Sequence, residues 1–158
     1  MDDRSYPAKS NLAMLYYNQG KLKEAENLFR DLIKNHSEYT EGEYYLGLLY
    51  AEQERYSEAA EILEKATLKS IVNPRIFYNL GIIYQYLENL KRAESSLLKA
   101  YSLTPDNFDV IYALADFYIK QSNFTSAMKY ANEVKEKFPE NPAGEQLINY
   151  IEGKTYNF

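Results

Sequence analysis

The sequence predicts an all-α solenoid of antiparallel helix pairs, and a regular internal repeat carries this prediction. Four columns of residues recur at intervals of 34 positions along the chain. Self-similarity at a fixed period is the signature of a repeat architecture. The columns are one leucine, one tyrosine and two small residues, namely Leu12, Leu46, Leu80 and Leu114; Tyr16, Tyr50, Tyr84 and Tyr118; Ala13, Gly47, Gly81 and Ala115; and Ala25, Ala59, Ala93 and Ala127.

Each repeat divides into two helical segments. In the second copy, apolar residues recur at spacings of three and four, first from Leu46 to Tyr50 and then from Tyr56 to Ala66, which is the period of one helix face. A short polar break separates the two segments. Proline, as at Pro105, marks joins between repeats because it cannot continue a helix. We therefore predict helix pairs at about 7–36, 40–70, 74–104 and 108–138.

The whole chain, 1–158, is predicted to be a single domain with repeats at 6–39, 40–73, 74–107 and 108–141. A ninth helix is predicted at 142–153, opened by Pro142 and closed by Gly153. This helix would cap the last pair. The tail at 154–158 has no repeat partner, so we expect it to be frayed. No matching cap precedes the first repeat, which keeps open the alternative of a longer array.

The small residues in the repeat have a packing reason. Two helices approach each other closely only where a side chain is missing, so Gly47 and Gly81 are expected to face the backbone of the paired helix. The large residues fill the remaining space between helices. Leu80 is therefore expected to be fully buried.

These columns resemble the tetratricopeptide repeat family, whose units carry leucine and a small residue, then tyrosine, alanine, an aromatic residue or leucine, alanine and proline. The third repeat carries this pattern best, in Leu80, Gly81, Tyr84, Ala93, Leu97, Ala100 and Pro105. The resemblance extends over residues 6–141, and it implies a right-handed superhelix of about nine helices with a concave groove. The usual turn glycine survives only as Gly20, so the geometry of the other three turns stays open.

Composition argues against several classes of function. The net charge is −5 and no run of Lys or Arg occurs, so a nucleic-acid partner is not expected. The chain has no cysteine, and His36 is its single histidine, so catalytic triads and most zinc sites lack their residues. No segment is apolar enough for membrane insertion. We expect no enzyme, no cofactor and no metal. A cytoplasmic location is favoured, and a periplasmic one is compatible with a removed signal.

The resemblance also places one set of residues on the concave groove. Tyr44, Tyr78 and Tyr112 hold the same place in three consecutive repeats, and each is expected to expose one ring edge. Tyrosine couples a large apolar ring to a hydroxyl at low entropic cost, which suits a peptide anchor. The alternative is that these rings only pack between helices. The predicted peptide-binding residues are Tyr17, Tyr44, Tyr45, Arg75, Tyr78, Asn79, Tyr86, Tyr112 and Tyr150.

Members of this family that act as heat-shock co-chaperones clamp a C-terminal carboxylate with lysine, asparagine and arginine side chains from three repeats. The corresponding places in this chain keep only Arg75 in one register and only Asn79 in the next. Ligands of that kind are therefore not expected.

The predicted function is a non-catalytic scaffold that binds a peptide or protein segment in a tyrosine-rich concave groove. Two alternatives stay open. The chain could be a self-assembly module that forms a homo-oligomer through its repeat ends or through the tail at 154–158. It could also be an accessory domain of a larger chain.

Overall fold

The computed structural model describes residues 6–36, 39–69 and 72–155. Within these ranges the chain forms nine α-helices and no strand, which confirms the all-α fold. The helices are α1 (Tyr6–Asn18), α2 (Leu22–Asn35), α3 (Thr40–Glu52), α4 (Tyr56–Thr67), α5 (Pro74–Tyr86), α6 (Leu90–Leu103), α7 (Phe108–Lys120), α8 (Phe124–Lys137) and α9 (Ala143–Thr155).

Successive helices form four pairs and a final single helix. Helix α1 packs on α2, α3 on α4, α5 on α6 and α7 on α8, and each pair also contacts the next. Helix α9 packs on α8 and covers one side of the last pair. A contact between α3 and α5 places the first helices of neighbouring repeats side by side.

The hydrophobic core follows the repeated leucine column. Leu46, Leu80 and Leu114 are at most 3% exposed, which confirms the prediction that Leu80 is buried. Leu12, the first member of the column, is 40% exposed. No helix pair precedes α1 in the described part of the chain. Leu12 is therefore equivalent to the other three leucines in sequence but is not buried as they are.

Two glycines mark the closest approach within helix pairs. A Cβ atom at Gly47 would lie 2.5 Å from Leu63 Cγ, and one at Gly81 would lie 2.6 Å from Leu97 Cγ. Atoms this close cannot be accommodated without displacing one helix. The close approach is therefore confirmed, although the nearest neighbour of each glycine is a leucine side chain and not the backbone of the paired helix.

The four turns inside the repeats share one geometry. Gly20, Glu54, Glu88 and Ser122 all have positive φ, between 55° and 71°. At each turn a backbone N–H donates to the carbonyl of the repeated tyrosine, as in Asn89 N to Tyr84 O at 2.9 Å. This is the Schellman arrangement that ends a helix with a left-handed residue. The loss of glycine at three turns therefore leaves the turn geometry intact.

The fourth position of each repeat differs between the two halves of the array. Lys9 forms an ion pair with Asp31, and the buried Glu43 lies 2.9 Å from the ammonium group of Lys69. The later repeats carry Phe77 and the fully buried Ile111 at this position. The first two pairs thus hold charged groups where the last two hold apolar side chains.

The last helix departs from its predicted bounds. Helix α9 begins at Ala143 and continues through Gly153 to Thr155, so Gly153 does not close it. The Thr155 hydroxyl donates to the Ile151 carbonyl at 3.2 Å, which keeps the last turn helical. Residues 154 and 155 therefore belong to the helix and not to the predicted tail, and 156–158 lie outside the described residues.

Candidate peptide-binding groove

The odd-numbered helices carry two cavities on one face of the array, and we call this row of cavities the groove. The first cavity has a volume of about 380 Å³ and lies where α3, α5 and α7 meet. Apolar and polar groups both face into it. Its lining consists of Tyr44, Leu48, Pro74, Arg75, Tyr78, Asn79, Thr104, Asn107, Asp109 and Val110.

Asn79 holds a fixed orientation in the first cavity. Its Nδ2 donates to the Arg75 carbonyl at 2.8 Å, one helical turn back, and lies 3.5 Å from the Tyr44 hydroxyl. No hydrogen bond to Oδ1 occurs among the described residues. The amide is therefore held by its nitrogen and has its oxygen free to accept an N–H from a ligand.

Arg75 and Asp109 place opposite charges on two sides of this cavity. The Arg75 guanidinium forms no ion pair with any residue in the described ranges. Burial raises the pKa of the Tyr78 hydroxyl, and the nearby Asp109 carboxylate raises it further. The Tyr78 hydroxyl is therefore neutral at physiological pH and able both to donate and to accept.

The second cavity lies between α7 and α9. It has a volume of about 370 Å³. Tyr112 is 38% exposed and Tyr150 is 51% exposed, so both rings have free surface. Lys120 and Asp116 form an ion pair at 2.6 Å on its rim. The lining consists of Tyr112, Asp116, Ile119, Lys120, Ala143, Gln146, Leu147 and Tyr150.

Tyr17 lies outside both cavities, near the N-terminal end of the same face. Burial raises the pKa of its hydroxyl to about 12, and the nearby Glu52 carboxylate adds to the rise.

Three of the predicted tyrosines are placed differently from the expectation. Tyr44 is only 9% exposed, so its ring is largely covered by its neighbours, although the residue lines the first cavity. Tyr45 packs against the core residue Phe29, with ring centroids 5.8 Å apart. Tyr86 stacks on Tyr56 at 4.5 Å, with rings 3° from parallel. Of these three, only Tyr44 lines a cavity.

The cavities also contain residues that the repeat pattern did not single out. Thr104 and Asn107 come from the segment between α6 and α7. Such joins carry no periodic signal, although Asn107 has one recognisable feature, since its side chain caps α7 by accepting from Val110 N. Leu147 is part of the stripe that packs α9 on α8, and it borders the second cavity as well.

The opposite face carries two further cavities between even-numbered helices. They have volumes of about 510 and 460 Å³, and their linings are related by one repeat. Tyr84 and Leu80 border the first, and Tyr50 and Leu46 border the second. Charged side chains surround both cavities. Because each cavity is also bordered by a tyrosine, aromatic surface is not confined to the groove.

Two structural observations on the described residues bear on other classes of function. Within 6–36, 39–69 and 72–155, no cluster of three His, Cys, Asp or Glu side chains is arranged to hold a metal ion. None of the helices in these ranges has the length and apolar character needed to cross a membrane.

The fold and the groove together define a helical repeat protein of the solenoid class. Residues 10–70 and residues 86–149 each match the tetratricopeptide repeat family. The chain belongs to this family, which confirms the resemblance found in the repeated columns.

A curated relative is similar over part of its length. The TPR repeat-containing protein MJ1428 of Methanocaldococcus jannaschii is 29% identical over 115 residues. The match covers 70% of this chain and 19% of the relative. The chain thus spans about a fifth of the length of that protein.

Several solved structures share the fold at low sequence identity. YrrB, described as a TPR protein with an unusual peptide-binding site, matches with a TM-score of 0.80 and 22% identity over 99% of this chain and 79% of its own. MamA from Desulfovibrio magneticus RS-1 matches with a TM-score of 0.87 and 16% identity over 99% and 88%. PilF of Pseudomonas aeruginosa matches with a TM-score of 0.81 and 18% identity over 98% and 70%.

Proposed function

We propose that this protein is a non-catalytic interaction scaffold that binds a peptide or a protein segment in the groove. Membership of the tetratricopeptide repeat family supports this role, because such arrays typically act as binding scaffolds. The peptide-binding site named for YrrB adds support by analogy.

The observation that carries the proposal is the pairing of two different cavities in one row. The first offers the Asn79 Oδ1 and the Arg75 guanidinium, neither of which has a partner among the described residues, together with the Tyr78 hydroxyl. The second offers two partly exposed rings, Tyr112 and Tyr150, together with the apolar side chains of Ile119 and Leu147. Aromatic anchors flanked by a few fixed polar groups are the usual composition of a binding site.

The two cavities would have separate tasks. The first would hold the backbone or a polar side chain of the ligand through Asn79 and Arg75. The second would take an apolar side chain between Tyr112 and Tyr150. Adjacent helix layers lie about 8–10 Å apart, a distance that about three residues of an extended strand can span.

The proposal is tested by affinity capture from a lysate of the source organism, followed by titration of the captured partner. Tyr78→Ala should weaken binding by about 2 kcal/mol or more, as expected for a central anchor. Asn79→Ala should cost about 1–3 kcal/mol because it leaves a buried ligand group unpaired. Tyr112→Ala should weaken binding as well.

The matched control is Tyr86→Ala, because Tyr86 is a 63% exposed tyrosine of the same helix as Tyr78 but lines neither cavity. Lys99→Ala on the opposite face is a second control. If Tyr78→Ala and Asn79→Ala fold and bind like the wild type while Lys99→Ala abolishes binding, the partner uses the opposite face.

A further inference from the structure

Tyr56 and Tyr86 form a stacked pair of rings between two repeats. Their centroids lie 4.5 Å apart and their planes are 3° from parallel, which is the offset-stacked arrangement that aromatic rings favour. Tyr56 is the first residue of α4 and Tyr86 is the last residue of α5. The two phenols are therefore in contact across the boundary between the second repeat and the third.

The phenols of this pair are accessible from solvent. Tyr86 is 63% exposed and Tyr56 is half-buried. Neither hydroxyl forms a hydrogen bond with any residue that the structure describes. Because exposed side chains change rotamer rapidly, the Tyr86 ring can rotate against the Tyr56 ring without disturbing the core.

The other tyrosine pairs in the described ranges each lack one of these properties. Tyr118 and Tyr130 are also 3° from parallel, but their centroids are 5.8 Å apart and both rings are at most 8% exposed. Tyr101 meets Tyr130 edge-on at 5.6 Å. The remaining pairs are inclined by 57° or more, namely Tyr44 with Tyr45 and Tyr6 with Tyr39. Close, parallel and accessible phenols thus coincide at one place in the described part of the chain.

The composition of the chain directs one-electron oxidation toward tyrosine. The sequence has no cysteine and no tryptophan, the two side chains that compete with tyrosine for one-electron oxidants. A tyrosine that loses one electron and its hydroxyl proton becomes a neutral phenoxyl radical. The unpaired electron of this radical is shared with the two ring carbons ortho to the oxygen. Two such radicals in contact couple through these carbons.

We propose that Tyr56 and Tyr86 are a site of oxidative modification, at which a haem peroxidase and hydrogen peroxide convert the stacked pair into a dityrosine cross-link. One electron and one proton leave each phenol, and a carbon–carbon bond forms between an ortho carbon of each ring. The hydrogen on each of these carbons then moves to the adjacent oxygen, which restores both phenols. The electrons and protons that are released reduce the peroxide to water.

The cross-link staples two repeats together. It closes a loop from residue 56 to residue 86, and it restricts the unfolded chain as a disulfide does. It also holds α5, which forms part of the first cavity of the groove, against the second repeat. Tyr86 lines neither cavity, so the proposal does not depend on the proposed function.

The test uses the full chain in dilute solution with a haem peroxidase and stoichiometric hydrogen peroxide. Dityrosine fluorescence should appear in chains that stay monomeric on a denaturing gel. Trypsin releases Tyr56 in the peptide 56–65 and Tyr86 in the peptide 76–91. Mass spectrometry should find these two peptides joined with the loss of two hydrogen atoms, and fragmentation should place the bond on Tyr86 and not on Tyr78 or Tyr84. The melting temperature of the cross-linked monomer should rise by about 5–10 °C.

Phenylalanine variants separate the phenol from the stack. Tyr56→Phe and Tyr86→Phe each keep a ring and helicity but should lower the dityrosine fluorescence of the monomer about tenfold or more, because two phenols are no longer held in contact. The matched control is Tyr130→Phe, which removes a phenol from the buried parallel pair and should leave the fluorescence unchanged. Fluorescence that persists in both Tyr56→Phe and Tyr86→Phe, cross-links found only between chains, or an unchanged melting temperature of the cross-linked monomer overturns the proposal.

Discussion

Single residues set how closely the two helices of a pair approach, and Gly81 is the clearest case. A Cβ at this position would lie 2.6 Å from two atoms of the Leu97 side chain and 3.3 Å from the Leu97 backbone nitrogen. Leu97 is itself fully buried and cannot move away without opening the core. The leucine is therefore seated in the space that the glycine leaves.

We predict that Gly81→Leu destabilises the array by about 1–3 kcal/mol because it overpacks this contact. Leu80→Ala should cost about 2–5 kcal/mol because it leaves a cavity between the helix pairs. Urea denaturation followed by circular dichroism measures both. The matched control is Gly153→Leu, where nothing lies within 4 Å of the added Cβ. If Gly81→Leu were as stable as Gly153→Leu, the close approach would not exist.

The sequence predicts some of these residue-level features and not others. The packing of the glycine and leucine columns could be predicted because a 34-residue period places their members in equivalent surroundings. The burial of Tyr44 could not be predicted, because it depends on packing against Tyr45 and on the approach of Asn79 from the next repeat. The exposure of a tyrosine ring depends on the residues that surround it, and the position of the tyrosine in the repeat does not determine it.

At the scale of the helical elements, the turns inside the repeats carry a conformational cost that the sequence does not reveal. Glu54, Glu88 and Ser122 adopt φ values of 59°, 55° and 56°. L-residues in this region cost about 1–2 kcal/mol each. The turns nevertheless form, because the Schellman hydrogen bonds and the packing of both flanking helices fix the chain there.

We predict that Glu88→Gly stabilises the protein. Glycine removes the steric cost of positive φ, and this gain exceeds the extra backbone entropy that glycine loses on folding, so the net effect should be a few tenths to about 1 kcal/mol. Thermal denaturation measures the change. Lys91→Gly, three residues later inside α6, should have the opposite sign and cost about 1 kcal/mol. Equal losses in the two variants would contradict the turn assignment.

The ends of the helices could be predicted from the sequence where a strong local signal such as proline marks them, and could not be predicted where the signal is weak. Pro74 opens α5, as its position at the join between repeats predicts. Gly153 is not a stop signal, since it lies inside α9 and is not among the described residues with positive φ. The polar pairs Lys9–Asp31 and Glu43–Lys69 were also not foreseen, because partner choice across a helix pair has no periodic signature.

At the scale of the whole molecule, tyrosine hydroxyls and glutamate carboxylates link successive repeats. Tyr50, Tyr84 and Tyr118 each bond a glutamate of the preceding pair, and Tyr101 bonds Glu133 at 2.8 Å. Burial raises the pKa of all four hydroxyls, and the adjacent carboxylates raise it further. The two cavities of the groove likewise lie between helices of different repeats.

The sign of the resulting pH dependence follows from these shifts. In the unfolded chain each of these tyrosines has its ordinary pKa of about 10, and in the folded chain the pKa is higher. A raised pKa means that folding favours the protonated form. Its contribution to stability is complete below pH about 10 and is lost as the pH rises through the folded-state values. The array should therefore lose stability in alkali.

We predict that ionisation of these four tyrosines in alkali accompanies unfolding and does not precede it. Ultraviolet absorbance of tyrosinate and circular dichroism should be recorded in one pH titration. Ionisation of Tyr50, Tyr84, Tyr101 and Tyr118 should appear as a phase that coincides with the loss of helicity. Glu94→Gln removes the carboxylate beside Tyr118, so the pKa of that hydroxyl should fall and the fall in stability with pH should become shallower.

In concentrated urea, ionisation should occur in a single phase near the ordinary tyrosine pKa. If the folded chain also titrated in one phase at that pH with its helicity intact, the hydroxyl–carboxylate bonds between repeats would not contribute to stability.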